Sequence, residues 1–352
     1  MIRFGKNCSI SFLAFLVFAA AFSSGAQTTN HSPQFQEIYQ ILRAHLVGAT
    51  DAELNHDSVE GLLDALRPRV VLLTNNTAAN SETAESAPVS RTEVFDGPVG
   101  YLRIDRVAEN LADSILASVK ALQATNNLKG IVLDLRYATG TNYAAAASAA
   151  DLFISHARPL LNWGNGVASS RKKSDALKLP VAILVNSGTS GAAEALAAVL
   201  RSNDIGLIFG STTAGNALVM EDFPLKNGDV LRVATAPVKL GNGETLSTNG
   251  IQPDIDVSVP PEAERDYFAD SFYIAPNTNQ LAAAGNQTNV PQRIRLNEAE
   301  LVREHRAGLD LESGEIQPIG KPEPAPHVVS DPALARALDL LKGLAIVREG
   351  GF

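Results

Sequence analysis

The run from Asn186 to Glu194, NSGTSGAAE, is where this chain's residue types and spacing could do chemistry. It joins an apolar run, Val181 to Val185, to a stretch with helical character from Gly191 to Leu200. Small residues permit a tight strand-to-helix turn. The first turn of a helix leaves backbone N–H groups unpaired, and such groups can stabilise a developing oxyanion. A serine on such a turn, here Ser190, is a candidate nucleophile. The same residues also have a purely structural reading, in which Thr189 or Ser190 caps the helix. A serine attacks only when a base takes its proton, and no motif supplies one. Lys172, Lys173, Lys178 and His156 are the bases in the preceding segment.

Other chemistries lack a signature. The six histidines form no i,i+4 pair and no HExxH, so no metal site is expected. There is no P-loop and no GxGxxG behind a strand, and no cofactor is expected. Cys8 is the single cysteine, which excludes an intrachain disulfide and a Cys-based metal site. With 38 acidic against 29 basic residues the net charge is -9, which opposes binding to nucleic acid or an anionic membrane surface. The basic trio Arg171, Lys172, Lys173 reads as a solvated loop, and Trp163, the sole tryptophan, as a core or lid residue.

The elements that must position the turn are set by periodicity. Phe35, Ile38, Leu42 and Leu46 share one face of a helix over residues 34–47. A second helix is expected from Asp57 or Ser58, with Asp57 and Glu60 as a capping box. Val70 to Leu73 reads as a short strand, and residues 74–92 as a polar linker. From residue 93 strands and helices alternate. The strands are Val99–Ile104, Gly130–Leu135, Val181–Val185 and Ile205–Phe209, and the helices are 110–125, 142–156 and 191–200. The apolar strands argue a mostly parallel sheet covered on both faces. Val230 to Ala236 and a turn at Asn242 come next. Residues 257–292 read as an extended wrap, and a last helix begins at Pro332 behind the cap Asp331.

Residues 1–26 read as a secretory signal peptide: Arg3 and Lys6, the apolar run SFLAFLVFAAAF, then Ser24-Gly25-Ala26 as a small-residue cleavage site. Export to a periplasm or the exterior is the expectation. No later stretch is long and apolar enough to span a membrane.

Five blocks over 94–256 resemble, in order, the catalytic domain of the C-terminal processing (tail-specific) serine peptidases, peptidase family S41. They are GPVGYLRI at 97–104, GIVLDLR at 130–136 with AADLFI at 149–154, VAILVNSGTSGAAEALAAVL at 181–200, IGLIFGSTTAG at 205–215 and NGIQPDIDV at 249–257. The resemblance implies an α/β fold with a ClpP/crotonase-like core and N- and C-terminal helical additions. It also implies serine-type proteolysis of peptides or polypeptide C-termini. It further implies a nucleophilic serine three residues before Glu194 and a lysine 25 residues beyond that serine. Those positions hold Gly191 and Asn216. A glutamine expected four residues after the lysine is Met220, and the Asn-Pro-Gly-Gly of the oxyanion loop is replaced by the run Tyr137 to Thr141, YATGT, which keeps Gly140. The cleft expected from the resemblance is formed by Gly140, Thr141, Gly191 and Ala192. The family often inserts a PDZ-type domain before the core; the segment after Leu73 is too short for one. The expectation is a degenerate member that binds peptide or protein without the standard Ser/Lys chemistry. The alternative is an active peptidase using Ser190 with an unidentified base.

Overall fold

The computed structural model describes residues 33–74, 87–164, 166–273 and 329–349. The signal-peptide reading of residues 1–26 lies outside them, as do residues 75–86 of the linker and 274–292 of the wrap.

The chain divides into two compact units, residues 1–62 and 63–352. The first holds α1 (Phe35–His45) and most of α2 (Asp51–Leu66). Helix α2 starts earlier than expected. Thr50 and Glu53 form the capping box: Thr50 N–H donates to the Glu53 carboxylate at 2.8 Å, and Glu53 N–H donates to Thr50 Oγ1 at 3.2 Å. Asp57 and Glu60 are therefore interior. Arg43 on α1 pairs with Asp51 at 2.7 Å.

The second unit begins with β1 (Val70–Leu73) and β2 (Val89–Phe95), so the expected linker ends in a strand. Next come β3 (Val99–Ile104), α3 (Leu111–Thr125), β4 (Gly130–Asp134), α4 (Tyr143–Asp151), β5 (Pro159–Asn162), β6 (Val167–Ser169), β7 (Val181–Val185) and α5 (Ala192–Ser202). The remainder is β8 (Gly206–Gly210), β9 (Leu218–Pro224), β10 (Val230–Pro237), β11 (Lys239–Leu240), β12 (Ile255–Asp256), α6 (Pro261–Ala269) and α7 (Pro332–Glu349).

The main sheet has the order β12-β8-β7-β4-β3-β2, parallel throughout except for the antiparallel edge β2. Side chains alternate across it. Ile131, Leu133, Ile183 and Ile208 pack with the apolar faces of α3, α4 and α5. Val132, Ala182, Leu184 and Phe209 pack with Leu334, Leu338 and Leu341 of α7. Burial on both faces is why the strand sequences are continuous apolar runs. Burying each of the three α7 leucines contributes roughly 1.5–3 kcal/mol.

The α/β class and the terminal helices stand, but the expectation of a ClpP/crotonase-like core is corrected by the topology. Two further antiparallel sheets, β1-β10-β9 and β11-β5-β6, accompany the six-stranded one. Strands β5, β6, β9, β11 and β12 are short or polar and give no periodic signal. Helix α6 replaces part of the expected extended wrap, and α4 stops at Asp151, short of the expected 142–156.

Candidate functional site

Strand β7 delivers the chain into the turn at Asn186, and that side chain organises the turn. Asn186 and Thr189 are fully buried. Asn186 Oδ1 accepts N–H bonds from Tyr137 and Gly188, both at 3.0 Å, and its Nδ2 donates to Glu264 Oε2 on α6 at 3.0 Å. Thr189 Oγ1 accepts from Asn186 N–H at 3.0 Å and donates to the Leu135 carbonyl at 2.8 Å. Its hydroxyl therefore ties the turn to the end of β4 and does not cap α5.

The N-cap of α5 is Gly191, with φ 64° and ψ -122°. An L-residue rarely adopts this left-handed φ. Space forbids a side chain as well: a Cβ on Gly191 would stand 2.3 Å from the Gly140 carbonyl oxygen. That carbonyl accepts the Ala192 N–H at 2.8 Å, and the Ala138 carbonyl accepts the Ser190 N–H at 2.9 Å. The loop 137–141 is thus stitched to the turn, and the donors expected to face an oxyanion are bonded to its main chain.

Glu194, the fourth residue of this cap region, reaches back. Its carboxylate is buried and accepts four hydrogen bonds: Oε2 from the N–H of Gly191 (2.9 Å) and Asn216 (2.7 Å), Oε1 from the Thr213 hydroxyl (2.5 Å) and the Gly215 N–H (2.7 Å). This is half a capping box, since glycine offers no reciprocal side chain. One carboxylate thereby holds positions 191 and 216 together, the two positions where the resemblance implies a dyad. The β-carbon site of Gly191 lies 3.9 Å from the Asn216 carbonyl oxygen.

Ser190 and Asn216 are half-buried, and Thr141 is exposed. Among the described residues no hydrogen bond joins the Ser190 hydroxyl to a lysine or histidine. Lys173 is committed to Asp151 at 2.6 Å, exposed His156 faces Ser155 Oγ at 3.1 Å, and Lys172 and Lys178 are exposed. Neither Gly191 nor Asn216 carries a nucleophile or a base.

Three residues of the site have no motif of their own. Tyr137 holds φ 59°; its N–H is fixed by Asn186, its ring packs edge-on against Phe268 at 5.0 Å, and its hydroxyl donates to Glu264 at 3.3 Å. Burial, with Glu264 adding to it, raises the Tyr137 hydroxyl above its ordinary value. Helix α6 supplies both Glu264 and Phe268, and the Arg103 guanidinium lies 4.0 Å from the Phe268 ring centre. The only foreshadowing in sequence is a polar Asn directly after an apolar strand. On the wall of the loop, Tyr143 donates to the Leu218 carbonyl at 2.8 Å, and burial pushes its hydroxyl up to about 12. Elsewhere, His56, Asp57 and Glu60 bring ligand-type atoms within 4.8 Å of one another on the exposed side of α2. An exposed acidic group of this kind is ordinary surface and is given no role.

Residues 98–257 match the family profile "Peptidase family S41". A carboxy-terminal-processing protease of Bartonella bacilliformis is 31% identical over 188 residues, covering 49% of this chain and 42% of that protein. The carboxy-terminal processing protease CtpA of Bacillus subtilis is 28% identical over 209 residues, covering 58% of this chain and 43% of that protein. The chain thus spans under half the length of these two relatives. The solved photosystem II D1 C-terminal processing protease is similar with a TM-score of 0.43 and 24% identity, covering 50% of each chain. Through residues 98–257, the chain is thus similar to peptidase family S41 and to its carboxy-terminal-processing proteases.

Proposed function

We propose that this chain is an exported S41-type protein that binds peptides or polypeptide ends and lacks the standard Ser/Lys peptidase chemistry. One observation carries the reading: the Gly140 carbonyl oxygen takes the place that the β-carbon of a nucleophile at position 191 would need. Asn216 stands at the base position, and an amide does not accept a proton from serine at neutral pH. Of the residues assigned to the cleft, exposed Thr141 and half-buried Gly140 are the ones a peptide can meet, with Gly191 and Ala192 buried behind them, and no metal or cofactor is assigned to it. No helix among the described residues is long and apolar enough to cross a membrane. Peptide recognition comes from the likeness to the family and from sheet edges that an extended segment can join.

The test uses a serine-directed fluorophosphonate on the folded chain, with Ser190→Ala beside it. The expected result is no labelling in either. Labelling that disappears in S190A would establish Ser190 as an activated nucleophile and overturn the reading. Peptide binding is checked separately by calorimetry with fragments of unfolded substrate proteins.

A further inference from the structure

The main sheet ends at β2, which pairs with β3 alone among the described residues. Its other edge makes no backbone–backbone hydrogen bond among them. Glu93, Val94, Phe95 and Asp96, at the end of β2, all line one cavity of about 610 Å³. Successive side chains of a strand point to opposite faces, so four consecutive residues reach one cavity when it runs along the strand's edge. The opposite wall is one face of α7, where Ala335, Leu338, Asp339 and Lys342 stand at i, i+3, i+4 and i+7. Phe272 and Val329 add to the apolar lining, and the rings of Phe95 and Phe272 lie 6.0 Å apart. The cavity is therefore a slot between an open strand edge and a helix. Its helix wall is about 10 Å long at roughly 1.5 Å per residue, which matches about three residues of an extended chain. The volume falls within the roughly 300–1,000 Å³ of ligand sites.

Charge narrows the choice of occupant. Glu93 is paired with Arg91 at 2.9 Å. Asp96 and Asp339 are exposed and make no ion pair among the described residues. Lys342 is the sole base among the described lining residues, and its stem lies along Gly97, where a Cβ would stand 2.7 Å from Lys342 Cγ. Two unpaired acids against one lysine, on a chain of net charge -9, favour a cationic occupant.

We propose that an extended peptide adds to β2 in this slot, with an apolar side chain among Phe95, Phe272 and Leu338 and a lysine or arginine beside Asp96 and Asp339. Main-chain bonds to β2 supply the affinity and the side chains the preference. The slot rests on the peptide-binding reading and gives the peptide a place away from the turn. Strands β3, β4 and β7 run parallel. The slot lies beside the hairpin that enters β3, whereas the 186–190 turn follows the last residue of β7, so the two are at opposite ends of the sheet.

The full chain is titrated by calorimetry with acetyl-Lys-Val-Phe-Val-Lys-amide and with its counterpart carrying Glu for Lys. The lysine peptide is expected to saturate, with the glutamate peptide at least about tenfold weaker. Two N-methylated forms of the lysine peptide, one methylated at the odd amides and one at the even, separate strand addition from simple burial. Only one set faces β2, so only one form should lose binding. Asp339→Lys weakens the lysine peptide several-fold, and Ala335→Trp, which narrows the slot, abolishes its binding. Asp339 is exposed, so its variant tests the slot even if Ala335→Trp fails to fold by circular dichroism. No saturable response of the full chain overturns the proposal, whatever then fills the slot, residues 274–328 included. So do equal affinities for the lysine and glutamate peptides, equal affinities for the two methylated forms, or a dimer that the peptide dissociates in sedimentation velocity, which would assign the slot to a second copy. Binding unchanged in both variants places the peptide elsewhere: the slot is then overturned while the peptide-binding reading stands.

Discussion

Arg136 Nη1 lies 2.8 Å from Asp331 Oδ2, an ion pair without hydrogen-bond geometry, and both side chains are 1% exposed. The same guanidinium grips Asp134 through two nitrogens, at 2.9 and 2.6 Å. Asp331 in turn accepts the N–H groups of Ala333 and Leu334 at 3.1 Å, which makes it the cap of α7. A strand in the centre of the sheet is thereby fastened to the C-terminal helix by charge as well as by leucines. Burial pushes the Arg136 guanidinium down, but Asp134 and then Asp331 outweigh it and hold it well above its usual value.

Breaking this cluster from one side leaves charges stranded. Arg136→Met should cost about 3–5 kcal/mol, because two buried carboxylates lose their counter-charge. That is a large share of the roughly 5–15 kcal/mol that separates folded from unfolded domains. Urea denaturation checks it, and a midpoint within error of wild type would show that the cluster contributes nothing.

Glu194→Gln is expected to be severe for its size. The new amide nitrogen faces donors where an acceptor stood, so two of the four bonds are lost in a buried site. The expected loss is about 3 kcal/mol, from buried donors left unsatisfied. The local readout is amide hydrogen exchange: either Gly191 and Asn216, which share Oε2, or Gly215 on Oε1 should exchange faster than in wild type, according to which oxygen the amide nitrogen replaces, while strand β4 is unchanged relative to global stability. Equal protection at all three amides would refute the role given to this carboxylate.

Tyr143 supplies a pH dependence. Its folded value is raised to about 12 from an ordinary 10, chiefly by burial. The unfolded chain therefore ionises first. The stabilisation is complete below pH 10, declines as pH rises, and is gone above the folded value. Its size is on the order of 2–3 kcal/mol across that window. The stability difference between wild type and Tyr143→Phe should shrink steadily from pH 9 to pH 12, with other titrating groups cancelling in the comparison. A difference constant with pH would mean that Tyr143 does not titrate as its burial demands.

The scaffold was legible in sequence because its strands are buried on both faces. GIVLDL and VAILV cannot be mistaken for exposed segments, and Asp331-Pro332 marks a helix start by capping chemistry alone. Of the strands without a periodic signal, β5 has a partner remote in sequence in β11, whereas β6 is only three residues long and β9 is polar, and both sit in hairpins with their chain neighbours β5 and β10. Leu161 meets Leu240, for example, and Glu221 meets Val233. Thr50 and Asp57 both precede a Glu by three residues, so sequence spacing alone does not tell which one caps the helix, and the structure gives the cap to Thr50. At the turn, the missing serine and lysine could be read from residue types. That a glycine carbonyl fills the vacated volume could not, because Gly140 and Gly191 are 51 positions apart and meet only in the fold.

That carbonyl yields the sharpest prediction about function. By residue type, Gly191→Ser with Asn216→Lys recreates a serine and a lysine at the family positions. By geometry the serine has no place. Its Cβ would stand 2.3 Å from the Gly140 oxygen at a φ of 64°. Left-handed strain alone costs about 1–3 kcal/mol, and relief of the clash requires the 137–141 loop to move away from Ala192. The double variant is therefore expected to be less stable than wild type and to gain neither fluorophosphonate labelling nor cleavage of an unfolded protein. A single added change at Gly140 cannot help while Val107 crowds the loop from behind, since a Cβ there would lie 2.8 Å from the Val107 carbonyl. If the double variant is labelled at position 191 and hydrolyses peptide, the loop yields easily, and its seated carbonyl is then not what keeps this chain from cutting.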